Sequence, residues 1–255
     1  MRLSEITSSQ AESYFRRSGI VIVPTGSTEQ HGPEGLIGTD AICASVIADA
    51  VAERAGWMVG PSLDLGVAPF NMAFSGTITI RPSVLTMLAV DYLRSLARHG
   101  ATHVLFLNGH GGNIAPLRAA IHELQTEHAF AGAKEPMLAC RVRSWWELSG
   151  CNALRQEFFG DREGMHGTPS EFSIVMAARP EVCQRMATAA GEVLSTEFLR
   201  NHGGDAHADA IRHRADFPDG LVGSDPGLAS AELGERLIEA ATEDLIHEIE
   251  SFSKA

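Results

Sequence analysis

Carboxylates and imidazoles crowd into three short segments of this chain. The first is Ser27-Thr-Glu-Gln-His-Gly-Pro-Glu-Gly-Leu-Ile-Gly-Thr-Asp40, which holds Glu29, His31 and Asp40 on a glycine-rich stretch. Hard carboxylate oxygens with an imidazole nitrogen are the donor set a divalent metal prefers. In an extended segment Glu29 and His31 point the same way, because side chains alternate with a period of two. The second segment, Asn108-Gly-His-Gly-Gly-Asn113, sets His110 between glycines. There the backbone of Gly111 and Gly112 can approach a ligand, or present N–H groups to an anion or a developing oxyanion. It matches neither G-x-x-x-x-G-K-[ST] nor a proper G-x-G-x-x-G. The third, Met165-His-Gly-Thr-Pro-Ser-Glu-Phe-Ser173, offers His166 in a loop and Glu171 in the first turn of a helix, with Ser170 as the expected cap.

The elements around these segments explain how they would meet. Gly19–Pro24 reads as a buried strand, and 40–56 as an alanine-rich helix with Asp40 at its start and Gly56 at its end. Further strands are expected at Trp57–Leu65, Thr102–Leu107 and Met137–Arg143. Further helices are expected from Pro82 to His99, 115–127, Ser170–Ala178 and Ser230–Ser251. Strands alternating with helices predict an α/β fold, a mostly parallel central sheet covered on both faces. In such sheets ligands sit beyond the carboxyl ends of the strands. Glu29 and His31 follow one strand and His110 follows another, so the architecture argues for one shared site. Ala68–Pro82, 149–169 and 201–227 show no clear period and are expected to be irregular, the last two covering or framing the site. No linker divides the chain, which reads as one domain over 1–255.

Bulk properties narrow the function classes. Across 255 residues the formal net charge is −12, which disfavours nucleic acid or an anionic membrane as a main partner. Four scattered cysteines without a C-x-x-C pair read as free thiols of a reducing compartment. No leader and no apolar span is evident, so a cytoplasmic enzyme is expected. Eleven histidines pose the question of which converge. Those of the late loop, His202, His207 and His213, read as surface or subunit-contact residues. Trp145 and Trp146 follow the fourth strand and could wall a substrate pocket by stacking, or fill a core. Glu34 and Arg162 stand beside site motifs, where either could select substrate charge.

Glu29-Gln-His-Gly-Pro with Gly38-Thr-Asp40, Ser75-Gly-Thr77, Asn108-Gly-His-Gly-Gly-Asn113 and His166 with Glu171, in that order, resemble the creatininase (creatinine amidohydrolase) family. A weaker echo is Gly220-Leu-Val-Gly-Ser-Asp-Pro-Gly-Leu-Ala229. The resemblance implies a three-layer α/β/α fold and a homo-oligomer, often a hexamer. It also implies two divalent ions, with zinc first and manganese or iron as the other candidates. The expected activity is hydrolysis of a non-peptide C–N bond in a small-molecule amide, cyclic amide or formamide. Carried over by position, Glu29, His31, Asp40, His110 and Glu171 resemble the metal ligands, with Asp40 bridging. His166 resembles the histidine that protonates the leaving nitrogen after a metal-bridging hydroxide attacks. Trp145, Trp146, Glu34, Gly111 and Gly112 are the candidate substrate contacts.

Several departures shape the reading. Creatininase proper carries a glutamate two residues after the histidine matching His110, where this chain has Gly112, and Glu171 is the expected substitute. The segments His31-Gly-Pro-Glu34-Gly-Leu36 and His166-Gly-Thr-Pro169 also differ from the usual pattern. A tryptophan shortly before the late histidine is replaced by Arg162. The remaining alternatives are peptide trimming, ring opening of an oxidised cyclic sugar, a non-catalytic metal- or ligand-binding relative, or a structural oligomer.

Overall fold

The computed structural model describes residues 1–132, 136–182, 191–201 and 209–254. In chain order they form α1 (Ser8–Phe15), β1 (Ile20–Thr25), α2 (Thr39–Ala55), β2 (Met58–Val59), α3 (Pro82–Arg98), β3 (His103–Asn108), α4 (Ile114–Ala131), β4 (Ala139–Ser144), α5 (Ser149–Phe159), α6 (Pro169–Ala178), α7 (Thr196–Asn201), α8 (Ala210–Asp216) and α9 (Ala231–Ser253). The sheet runs β2-β1-β3-β4 with every pairing parallel.

The apolar runs of β1 and β3 are buried on both faces, as a covered parallel sheet demands. Val21, Val23, Val104 and Phe106 face one core with Tyr14 of α1, Leu85 and Leu93 of α3, and Leu117 of α4. Ile22, Leu105 and Leu107 face the other core with α2, α5, α6 and α9. The fold is therefore the expected three-layer α/β/α arrangement.

The sheet order decides where the site lies. After β1 the chain moves out to β2, and after β3 it moves the opposite way to β4. The loops leaving β1 and β3 diverge and open a crevice between their carboxyl ends, the usual ligand position in such sheets.

Several expectations need correction. The strand expected over Trp57–Leu65 pairs regularly only at Met58 and Val59. Gly60 still donates to the Ile22 carbonyl, but Pro24 of β1 has no N–H to return to this neighbour, and Leu63 rejoins β1 through a single bridge. The stretch 149–169, expected to be irregular, contains α5. Its opening N–H groups at Gly150 and Cys151 donate to Asp244 Oδ2 of α9, at 2.7 and 3.2 Å. That cap lies more than ninety positions away, so no local signal announced the helix. Within 201–227, α8 is capped by Asp209. The helix α1, capped by a reciprocal Thr7–Gln10 box, was not anticipated. Cys43, Cys140 and Cys151 are free thiols, and Cys183 lies outside the described residues.

Candidate metal centre and cleft

Each polar segment reaches the crevice from a different element. Glu29 and His31 lie on the loop after β1, His110 on the turn after β3, and Asp40 in the first turn of α2. Asp40 enters between the two strands because Gly109 carries no side chain: a Cβ there would lie 2.3 Å from the Asp40 carbonyl oxygen. His166 ends the turn before α6, and Glu171 is the third residue of that helix. Glu29, His31, Asp40, His110, His166 and Glu171, far apart in sequence, are all buried together, at no more than 8% exposure.

Their contacts pair imidazole nitrogens with carboxylates. Asp40 Oδ1 lies 3.0 Å from His31 Nε2, and Asp40 Oδ2 lies 3.1 Å from His110 Nδ1. Glu29 Oε1 is 3.2 Å from the same His110 nitrogen and 3.6 Å from His166 Nδ1. Glu171 Oε1 stands 3.9 Å from His31 Nε2.

The other nitrogen of each ring is already committed. His31 Nδ1 donates to the Glu29 carbonyl at 3.1 Å, His110 Nε2 to the Val67 carbonyl at 2.9 Å, and His166 Nε2 to the Gln30 carbonyl at 2.7 Å. A carbonyl can only accept, so each neutral ring must carry its proton on the committed nitrogen. The lone pairs of His31 Nε2 and His110 Nδ1 then face carboxylate oxygens at about hydrogen-bond distance, an arrangement that repels unless a positive charge lies between. Glu29 Oε1 and Asp40 Oδ2 are buried and make no well-directed hydrogen bond despite their closeness to His110. Anchoring a ring on a backbone carbonyl while its second nitrogen stays free is how proteins orient metal-binding histidines. Glu29–Asp40–His110 and His31–Asp40–Glu171 each gather three donor atoms within reach of one ion, with Asp40 common to both. Glu29–His31–His166 forms a third such group. The residues therefore fit a divalent metal.

The ionisation of the metal-free cluster tells the same story. Burial alone would lower the His31 pKa, but the Asp40 carboxylate raises it to about 10. His110 is likewise raised well above its ordinary value: burial opposes the shift and Glu29 and Asp40 overcome it. Burial pushes Glu29 and Asp40 up, yet the facing imidazoles hold both below the usual carboxylate range. Protons on His31 and His110 thus supply the positive charge that an ion would supply. Burial raises Glu171 to about 7. Burial, followed by the nearby charge of His31, drives His166 down to about 3, so this ring is neutral.

A cavity of about 340 Å³ opens over the cluster. Trp145, Trp146, Gly111 and Gly112 line it, together with Phe70, Ile114, Arg155 and Met165. Trp145 is fully buried and meets Trp146 edge to face at 5.8 Å. Glu34 is exposed and does not line the cavity. Arg162 also stays outside it and donates to the Gly191 carbonyl. His213, expected at the surface, is buried against Phe70 and Phe217. His202 and His207 lie outside the described residues. The cap of α6 is Thr168 rather than Ser170, whose hydroxyl instead reaches Glu163.

Sequence reasoning missed the residues that hold His166. Gln30 Nε2 donates to Asn71 Oδ1 and to the Gly220 carbonyl, which fixes the backbone whose carbonyl receives the His166 proton. Gln30 sits inside a recognised motif and was legible. Asn71 lies in the patternless stretch after Ala68 and was not.

A family profile described as creatinine amidohydrolase matches residues 4–249. The chain belongs to the creatininase family. It is therefore an enzyme of the amidohydrolase kind, of a family acting on C–N bonds. A mycofactocin precursor peptide peptidase of Mycobacterium ulcerans (strain Agy99) is 31% identical over 97% of this chain and 90% of its own length. A creatinine amidohydrolase of Pseudomonas putida is 29% identical over 64% of this chain and 65% of its own. The crystal structure of a creatinine amidohydrolase (creatininase) superposes with a TM-score of 0.80 at 25% identity, covering 97% of this chain and 96% of that one.

One departure from creatininase proper now has a steric basis. A Cβ at Gly112 would lie 2.1 Å from the Val67 carbonyl oxygen and 2.8 Å from His110 Nε2. Those are the two partners of the bond that orients His110. Position 112 has no room for a side chain, whereas Glu171 brings a carboxylate to the cluster from another element.

Proposed function

We propose that this creatininase-family member is a two-metal amidohydrolase acting on a non-peptide C–N bond of a small molecule. Glu29, Asp40 and His110 would hold one ion and His31, Asp40 and Glu171 the other, Asp40 being common to both groups. The observation that carries this reading is the split of Asp40, whose two oxygens face two differently anchored imidazoles at 3.0 and 3.1 Å. Zinc heads the candidates, with manganese and iron also suited to mixed nitrogen and oxygen donors. When bound, two such ions lower the pKa of water and polarise a carbonyl oxygen.

The chain's own residues supply the rest. His166 enters the reaction neutral, its Nε2–H fixed on Gln30 and its Nδ1 lone pair turned toward Glu29. It takes the proton of the attacking water at Nδ1 and passes it to the departing nitrogen, so its donor role follows a base role. Trp145 and Trp146 give the cleft an aromatic wall, and Gly111 and Gly112 let backbone approach the substrate. A cytoplasmic homo-oligomer, with a hexamer as its expected size, completes the reading. Among the described residues no helix is long and apolar enough to cross a membrane. Met87 and Leu88 of α3 are exposed apolar side chains of the kind subunit contacts cover.

A second reading, trimming of a short peptide, is favoured by the near full-length similarity to a peptide peptidase. Elemental analysis followed by an amide panel of creatinine, formamides and short peptides tests both. Turnover of a non-peptide amide with about two metal equivalents supports the first reading, and turnover confined to peptides supports the second. No metal after reconstitution defeats both.

A further inference from the structure

The two ion positions are built differently. At Glu29–Asp40–His110 the two carboxylate oxygens stand 3.2 and 3.1 Å from His110 Nδ1, and all three residues come from the crevice. At His31–Asp40–Glu171 the third donor comes from α6 and stands back at 3.9 Å. Glu171 also has a second task. Its Oε2 accepts from Thr168 N at 2.8 Å and from Thr168 Oγ1 at 2.9 Å, while its own N–H donates to Thr168 Oγ1 at 3.2 Å. This capping box fixes the carboxylate so that only Oε1 is left to face His31.

We infer that Thr168 is a positioning residue for Glu171, and that its hydroxyl sets the affinity of the second ion without touching that ion. The inference rests on the two-ion reading above. The hydroxyl protons explain why Thr168 serves Glu171 alone. Ser170 Oγ lies 3.1 Å from Thr168 Oγ1, but it gives its one proton to Glu163. Thr168 therefore has a choice between a neutral hydroxyl and a carboxylate, and the charged acceptor forms the stronger bond. Glu163 is held in turn by Arg155, at 2.9 Å from Nε and 2.8 Å from Nη2, and Arg155 also donates to the Trp146 carbonyl at 3.0 Å. Behind the cap, this ion pair of a half-buried Arg155 and a buried Glu163 keeps Ser170 occupied and the Thr168 hydroxyl directed at Glu171.

The test is calorimetric titration of metal-free protein with zinc chloride, for wild type, Thr168→Ala and Thr168→Ser. Wild type should bind two equivalents. Thr168→Ala should weaken the later equivalent about tenfold, the loss of one hydrogen bond to a charged group, and leave the earlier one unchanged. Thr168→Ser should restore it. Thr168→Gly, glycine being a tolerated N-cap, repeats the deletion if the alanine variant does not fold. Two unchanged equivalents in the deletion variants, or equal weakening of both, overturns the inference while sparing the two-ion reading. Fewer than two equivalents in wild type overturns the two-ion reading itself, and the inference with it.

Discussion

The crevice side of the cleft and its α5–α6 side solve one problem by different means. On the crevice side, Glu29, His31, Asp40 and His110 come from the loop after β1, the turn after β3 and the first turn of α2. Their rings are locked by the carbonyls of Glu29 and Val67, main-chain groups of the loops that follow β1 and β2. On the other side, Glu171 depends on a cap, the cap on a neighbouring hydroxyl pair, and the wall on an ion pair between half-buried Arg155 and buried Glu163. The difference teaches that the loops leaving the sheet orient their rings through main-chain carbonyls alone, whereas the start of α6 orients its carboxylate with the help of a side-chain hydroxyl. Substitutions at the crevice should therefore act directly on metal binding or turnover, and those at the wall through stability and the hold on Glu171.

The largest effect is expected at the shared carboxylate. Asp40→Ala should lose bound metal and turnover together, read by elemental analysis beside an activity assay. Metal retained at wild-type level would break the comparison at its centre. Next comes His166→Ala, which should keep the metal while turnover falls by about 10²–10⁴-fold, the usual worth of a positioned acid–base group. Full activity in that variant would remove His166 from the mechanism.

The wall yields stability effects. Arg155→Met leaves Glu163 buried without its partner and should cost about 3 kcal/mol in denaturant unfolding, with much of the loss recovered in Arg155→Met/Glu163→Leu. An unchanged midpoint would mean the pair contributes nothing to that side. At the crevice, Gly112→Ala forces a methyl against the Val67 carbonyl and should cost about 2 kcal/mol, with weakened metal binding as His110 loses its anchor.

A further effect, a pH dependence, is confined to the metal-free protein. The folded-state pKa of His31 is raised to about 10 from an ordinary 6.5, so the folded state holds this proton more tightly than the unfolded chain does. The resulting stability is fully present below pH 6.5 and is lost as pH rises through about 10. Metal-loaded protein, whose ion replaces that proton, should not show this loss. Parallel melting curves from pH 6 to 10 with and without zinc would show whether the two states part company.

The legible part of the site had local signals. Glu29 and His31 share an extended loop after an apolar strand, and His110 lies in a glycine turn after another. Their burial as one cluster follows from the parallel order β2-β1-β3-β4. Glu171 was legible as a helix-start carboxylate, but Thr168 and not Ser170 caps that helix, since two adjacent hydroxyls offer the same local signal and only Glu163 separates them. α5 was hidden because its first N–H groups are capped by Asp244 of α9. Asn71, Arg155 and the burial of His213 depend on partners far along the chain, and no periodicity reports such partners.

By itself the sequence determined the donor chemistry, the strands that carry it and the family it belongs to. Residue type and alternation are enough to place oxygen and nitrogen ligands on neighbouring loops. Only the tertiary structure decided the tautomers, the division of Asp40 between two imidazoles, the vacancy of side chain at Gly112 and the reliance of Glu171 on Thr168. Each of these turns on which atom lies within about 3 Å of another, where hydrogen-bond geometry is set. Such distances are fixed by packing across elements and have no counterpart in the order of residues.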